Sequence, residues 1–531
     1  MHTKACDTKY LKNTSLKLLA SITASLLFMG SAPMPEKDLS EFTFTETTIE
    51  NIHSAIETKT MTCQAITQGF INRITKYDEI SNLNAIIYIN PNAISKAKQM
   101  DLQFAENPKL KTLQCIPVIL KDNFDTADMP TEAGSIALKG SIPPDDAFIV
   151  KKLRDAGAII IAKSNMGEWA FSPNNTISST HGETHNAYDL SRVPAGSSGG
   201  TASAIAANFG VIGIGSDTGN SIRGPSSHLA LVGMRSTIGA TSRDGIIPLL
   251  LNRDVGGPML RTVKDTARVF NAIAGYDEAD PTTKAYLEHK VADYTAKLSL
   301  NGLQGVRLGV LREIVDETTA DKDTLKVYSQ ALQDLAAQGA VIVDPITIPE
   351  FEKLTKATGF CSRFRYDLNN YLATLNSSNG IKTLQDVVTQ KKHRPENAGS
   401  MNWAMKVPAN ITPAEQTPPC VDVQGDPRRK ALLNAVVNTM DDLKLDAIVY
   451  PTWSNPPRKI GDSQSPSGNN SGKIAPHTGQ PAITVPMGYV KNGLPVGIQI
   501  LGRPFTEDKL FQYAYAYEQA TMHRRAPLLF P

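Results

Sequence analysis

This chain of 531 residues lacks most features that give a function away at once. Its net charge is only +2, so no strongly basic surface argues for nucleic acid. No zinc-type cysteine pair, basic helix or RNA-binding aromatic motif is present. No Gly-Lys-Ser or Gly-Lys-Thr follows a glycine run, which argues against a phosphate-binding loop. Histidine is scarce, with nine residues and none in an obvious catalytic setting. His181, His185, His228 and His477 lie near glycine-rich segments, where surface or packing roles account for them. No internal repeat and no clear linker divides the chain beyond its first residues. The rest of the composition is ordinary, with 41% hydrophobic and 20% charged residues, enough for a large core.

The N-terminus differs from everything after it. Lys4, Lys9, Lys12 and Lys17 precede the apolar run from Leu18 to Met29, and Gly30-Ser31-Ala32 supplies small residues. That layout reads as a secretory signal peptide over residues 1–32. Residues 33–531 then form an exported domain, periplasmic or secreted. The run is short for a membrane span, and no lipid-attachment cysteine ends it, so no stable membrane insertion is expected after cleavage. Cys6 leaves with the signal, while Cys63, Cys115, Cys361 and Cys420 remain. Four cysteines permit two disulfides in three pairings, and both buried free thiols and a Cys361–Cys420 bridge fit.

What the chain does have is glycine-rich turns carrying serines. Gly196-Ser197-Ser198-Gly199-Gly200 is followed by Gly215-Ser216-Asp217-Thr218-Gly219-Asn220-Ser221-Ile222-Arg223, and 24 positions separate Ser197 from Ser221. A serine on such a loop, with free amide groups around it, offers a nucleophile beside an anion site. A serine hydroxyl needs a base. Lys121 ends the short apolar run Leu113–Leu120, where burial favours the neutral amine that can accept a proton. Gly196 to Gly200 also satisfies the Gly-x-Ser-x-Gly elbow with Ser198 as nucleophile. The preceding Tyr188–Pro194 is polar and ends in proline, a poor strand for that elbow.

Periodicity predicts alternating helices and strands. A helix is expected over Thr62–Ile71, a strand over Leu113–Leu120, a helix over Asp145–Ala156 and a strand over Ala158–Ala162. A small-residue helix follows Ser197, and Val211–Gly215 reads as a strand. Residues 390–428 and 460–474 read as loops, the latter flexible. Ala482–Pro486 and Val496–Leu501 read as a strand pair, with a last helix from Glu507 to Thr521. The order of helix, glycine and strand is an α/β signature with a partly parallel sheet.

Taken in order, these segments resemble the amidase signature family. Pro117–Asn123, Ala195–Gly200, Gly215–Arg223 with Val232–Arg235, Gly256–Met259, Gln480–Pro486, Gly493–Gln499 and Gly502–Phe505 all match. The resemblance covers about residues 45 to 525. It implies a single large α/β/α domain, a mixed twisted sheet covered by helices. It implies a Ser-Ser-Lys triad of Ser221 as nucleophile, Ser197 as bridging serine on a cis peptide bond, and Lys121 as base. Amides of Thr218, Gly219, Asn220 and Ser221 would form the oxyanion hole, with Ser198, Asp217 and Arg223 in support. No metal or organic cofactor is implied.

The chain departs from the family at Asn220, where glycine is common. Asparagine tolerates left-handed backbone, so the turn survives, but a side chain then projects near the oxyanion hole. Gly224-Pro225-Ser226-Ser227-His228 departs too, and His228 is read as structural. The expected activity is hydrolysis of linear carboxamides, with small-molecule or peptide amides as substrates and no nucleic acid partner. Ser242–Pro248 leans towards peptide amidases, which remove a C-terminal amide. Loops 125–140 and 380–430 are expected to build the substrate pocket. The alternative is a subunit or binding protein without its own hydrolysis, as in the amidase subunit of the tRNA-dependent amidotransferase.

Overall fold

The computed structural model describes residues 42–376 and 380–531, so the expected signal at residues 1–32 lies outside the described residues. The chain contributes β1 (Ile86–Ile89), β2 (Pro117–Lys121) and β3 (Ile159–Ser164), then a separate ribbon of β4 (Ile177–Ser178) and β5 (Gly182–Glu183). It continues with β6 (Ile212–Asp217), β7 (Val232–Arg235), β8 (Val255–Leu260), β9 (Arg307–Leu311) and β10 (Val341–Ile346). The last strands are β11 (Ala447–Pro451), β12 (Ala482–Tyr489) and β13 (Pro495–Leu501). Eleven of them form one sheet in the order β1-β3-β2-β6-β8-β7-β12-β13-β11-β9-β10. Parallel pairs (β2 with β3 and β6, β9 with β10 and β11) mix with antiparallel ones.

Strand composition explains why this sheet is covered on both faces. Successive side chains point to opposite faces. In β11, Ala447 and Val449 join one apolar cluster, while Ile448 and Tyr450 join another. Strands buried on both sides read as near-continuous apolar runs, as Pro117–Leu120 and Ile159–Ala162 do. Helices flank the sheet, among them Gly199–Ala206 against β2 and β6, and Glu507–Thr521 against β12. A third cluster, around Trp169, Phe364, Leu368, Met401 and Ala404, lies apart from the other two.

Several expectations are adjusted. The helix beginning at Cys63 runs on to Ser81, because Thr62 caps its first turn and left-handed Asn82 stops it. The helix expected over Asp145–Ala156 starts only at Phe148, since Asp146 accepts from the Ala127 amide and pairs with Arg154. Residues 390–428 are not simply loop, because they hold the helix Ala398–Met405, which buries Met401 and Ala404. Within 460–474, Asn470 and Ser471 are buried, with Asn470 donating to the Pro451 carbonyl, so its end is packed rather than free. Two disulfides replace the free-thiol reading: Cys63–Cys115, with Cα atoms 5.2 Å apart, and Cys361–Cys420, at 5.7 Å. No helix among the described residues is long and apolar enough to cross a membrane.

Candidate active site

Parallel pairing of β2 with β6 sets the site. Val118 faces Ile212 and Leu120 faces Ile214, so both strands end together, at Lys121 and at Ser216-Asp217. Carboxyl ends of parallel strands are where α/β sheets place ligands. Lys121 is fully buried there. Its Nζ lies 2.7 Å from Ser197 Oγ, 2.8 Å from Ser216 Oγ and 3.3 Å from the Ser216 carbonyl. Burial pushes the amine down to about 7, against the pull of the Asp217 and Asp254 carboxylates. At neutral pH a large share of it is therefore uncharged and able to take a proton.

Ser197 enters from the loop that starts helix Gly199–Ala206, and the Gly196–Ser197 peptide is cis. Packing there is close enough that a side chain on Gly196 would run into the Asn175 carbonyl. Ser198 Oγ donates to the Ser216 carbonyl at 3.1 Å, which pins the loop to β6. Ser221 follows β6 on the turn before helix Arg223–His228. Among the described residues its hydroxyl makes no hydrogen bond to protein, and it lines a cavity of 440 Å³. Thr218, Gly219 and Asn220 line the same cavity.

That turn is braced by a buried ionic knot. Asp217 accepts from the Ile222 amide, from Arg223 Nε at 3.1 Å and from Arg235 at 2.8 Å. Burial raises its carboxyl, but the two guanidinium groups outweigh it and hold it at about 2. Arg223 goes on to the carbonyls of Gly219 and Ser471, at 2.8 and 2.7 Å. Asp254 ties the turn to the cavity wall, accepting from Thr218 Oγ1 at 2.5 Å and from the amides of Leu249 and Leu250. The wall is apolar, lined by Phe171, Leu249, Leu250, Phe360, Phe364 and Trp403.

This arrangement of lysine, two serine loops and a braced turn coincides with a family match over most of the chain. The family described as Amidase matches residues 65–511. The chain belongs to the amidase signature family. The enzyme is 32% identical to a probable amidase of Arabidopsis thaliana, over 96% of each chain. It is 33% identical to a glutamyl-tRNA(Gln) amidotransferase subunit from Microcystis aeruginosa, over 91% of this chain and 99% of that protein. Its fold is similar to that of a peptide amidase from Stenotrophomonas maltophilia, with TM-score 0.81, 34% identity, and coverage of 92% and 99%. Amide carbon–nitrogen bonds are thus what this enzyme hydrolyses.

The amidase's Asn220 is accommodated in another way than its sequence suggests. Neither Gly219 nor Asn220 has a positive φ, so left-handed tolerance plays no part. Instead Asn220 Nδ2 donates to the carbonyls of Gly196, at 3.1 Å, and Pro173, at 3.3 Å. The four histidines bond elsewhere: His181 with Glu132, His185 with the Leu190 carbonyl, His228 with the Asn455 carbonyl and His477 with Arg253. Burial pushes His228 down to about 3, which keeps it neutral. Of the loops expected to build the pocket, 380–430 contributes Ser400, Trp403 and Ala404, whereas 125–140 contributes none of the lining. Phe360, Phe364 and Ser216 went unassigned in the sequence. Asn123 did too, although its Nδ2 reaches Ser216 Oγ at 3.0 Å.

Proposed function

We propose that this amidase hydrolyses linear carboxamides through Ser221, Ser197 and Lys121 by way of an acyl-enzyme. The observation that carries the reading is the 2.7 Å contact between the buried Lys121 amine and Ser197 Oγ. Neutral Lys121 takes the Ser197 proton as Ser197 takes that of Ser221. Ser221 Oγ attacks the amide carbon, and the amides of Thr218, Gly219, Asn220 and Ser221 receive the developing oxyanion. The proton returns through Ser197 to the leaving nitrogen, the carbon–nitrogen bond breaks, and ammonia or an amine departs. Water then attacks the ester by the same relay, releasing a carboxylate and restoring Ser221.

C-terminal peptide amides are the substrate class we favour, supported by the likeness to a peptide amidase. The likeness to an amidotransferase subunit supports a second reading, in which the chain serves partner proteins. Export distinguishes the two. We infer that residues 1–32 direct the chain out of the cytoplasm, a reading that the two disulfides support. N-terminal sequencing of the mature protein tests it, with a start near residue 33 expected. Peptide amides, aryl anilides and short aliphatic amides, assayed with Ser221→Ala, test the chemistry. The variant is expected to lose about 10⁴- to 10⁶-fold in kcat. Turnover that survives it removes Ser221 as nucleophile.

A further inference from the structure

The cavity above Ser221 has two unlike sides. One is the polar turn of Thr218–Ser221. The other is aromatic, and two of its rings, Phe360 and Trp403, remain 49% and 39% exposed. Large apolar side chains open to solvent inside a concave site mark a surface suited to a ligand. Phe360 is held in place rather than loose. The Arg253 guanidinium lies 4.5 Å from its ring centre, and the neighbouring Cys361 is bridged to Cys420. The tip of its ring stands 3.7 Å from where a side chain on Gly219 would begin, so it overhangs the turn before Ser221. On the same aromatic side, Phe364 meets Phe171 edge-on, with centroids 5.0 Å apart.

Charge points the same way. Among the described residues, Lys473 is the one charged side chain lining this cavity, and its ammonium is already bonded to the Ile314 carbonyl at 2.6 Å. No carboxylate of the described residues lines the cavity to receive a cation.

We propose that Phe360 and Trp403 clamp a large apolar or aromatic side chain on the acyl part of the substrate. Preferred substrates are then amides of apolar residues, and cationic residues are rejected. The inference rests on the hydrolytic role of Ser221 above and adds the group that the site selects. A side chain between the rings removes apolar surface from water on both partners. That gain is present in ground state and transition state alike, so it shows mainly in KM.

The test uses N-acylated dipeptide amides differing only in the residue that bears the amide: glycine, leucine, phenylalanine or lysine. kcat/KM for the phenylalanine amide is expected to exceed that for glycine by about 10- to 100-fold. The lysine amide should rank no higher than glycine. Phe360→Ala and Trp403→Ala should each flatten the series, with the loss for the phenylalanine amide falling in KM. A second readout needs no turnover. In Ser221→Ala, the phenylalanine amide should change tryptophan fluorescence, and Trp403→Phe should abolish that change. Equal rates for the glycine and phenylalanine amides, or fluorescence indifferent to the phenylalanine amide, overturn the clamp while the amidase reading stands. Persistent turnover in Ser221→Ala overturns the reading beneath it.

Discussion

The floor and the wall of one cavity are built in opposite ways. The floor is the turn Thr218–Ser221, and behind it Lys121, Ser197, Ser216, Asp217 and Arg223 are all 5% exposed or less, joined by hydrogen bonds between strand ends and the starts of two helices. In the wall, Phe360 and Trp403 stand half open on an irregular segment and a short helix, Phe360 held by the Arg253 guanidinium and the neighbouring disulfide. Bond-breaking groups must hold their geometry closely, and redundant support provides that. Recognition groups sit on elements that tolerate change without disturbing the chemistry.

The largest break in this contrast comes from altering the floor. Lys121→Met keeps the length of the side chain but removes the proposed base. It is expected to lower kcat by about 10²- to 10⁴-fold, with little change in KM. In the intact enzyme only the neutral amine accepts a proton, and burial holds that amine at about 7. kcat/KM should therefore fall as pH drops below about 7, which a pH–rate profile measures, and Lys121→Met should lack that acid limb.

A smaller effect is expected from the brace. Asp217→Asn leaves Arg223 and Arg235 without their buried countercharge, at a cost of about 3–5 kcal/mol in denaturant unfolding. The sign with pH follows. An unfolded aspartate titrates near about 4. The stabilisation from Asp217 is complete above that value and is lost as pH falls through the folded value of about 2. Acid unfolding of the native protein and of Asp217→Asn should thus converge at the lowest pH.

The smallest effect belongs to the wall. Replacing both Cys361 and Cys420 by serine should raise KM for amides of large apolar residues and leave kcat in place. The double variant isolates this bridge, because a reductant also opens Cys63–Cys115. A fall in kcat comparable with that of Lys121→Met would erase the distinction between floor and wall.

The same division explains what could be read from the chain. Lys121 was legible because an apolar run ended on it, and Ser197 and Ser221 because glycines surrounded them. The strand pair at 482–501 and the last helix were legible from plain periodicity. β1 was missed, being four partly exposed residues paired only with β3. The helix Ala398–Met405 was hidden among prolines and polar residues, since only Met401 and Ala404 bury. Phe360 and Trp403 line one cavity from 43 positions apart in sequence, and no local pattern announces that. Ser216 was passed over between more conspicuous neighbours, and its role needs Lys121 and Asn123 placed around it.

Asn220 has a mechanical consequence. Its carboxamide reaches from the turn before Ser221 to the carbonyls of Gly196 and Pro173, spanning both serine loops like a strut. The gap that the proposed proton transfer from Ser221 to Ser197 would cross is thereby braced by this side chain. A shift of either loop, as the proposed acylation of Ser221 would impose, is transmitted to the other through that amide, alongside the Ser198 bond to the Ser216 carbonyl.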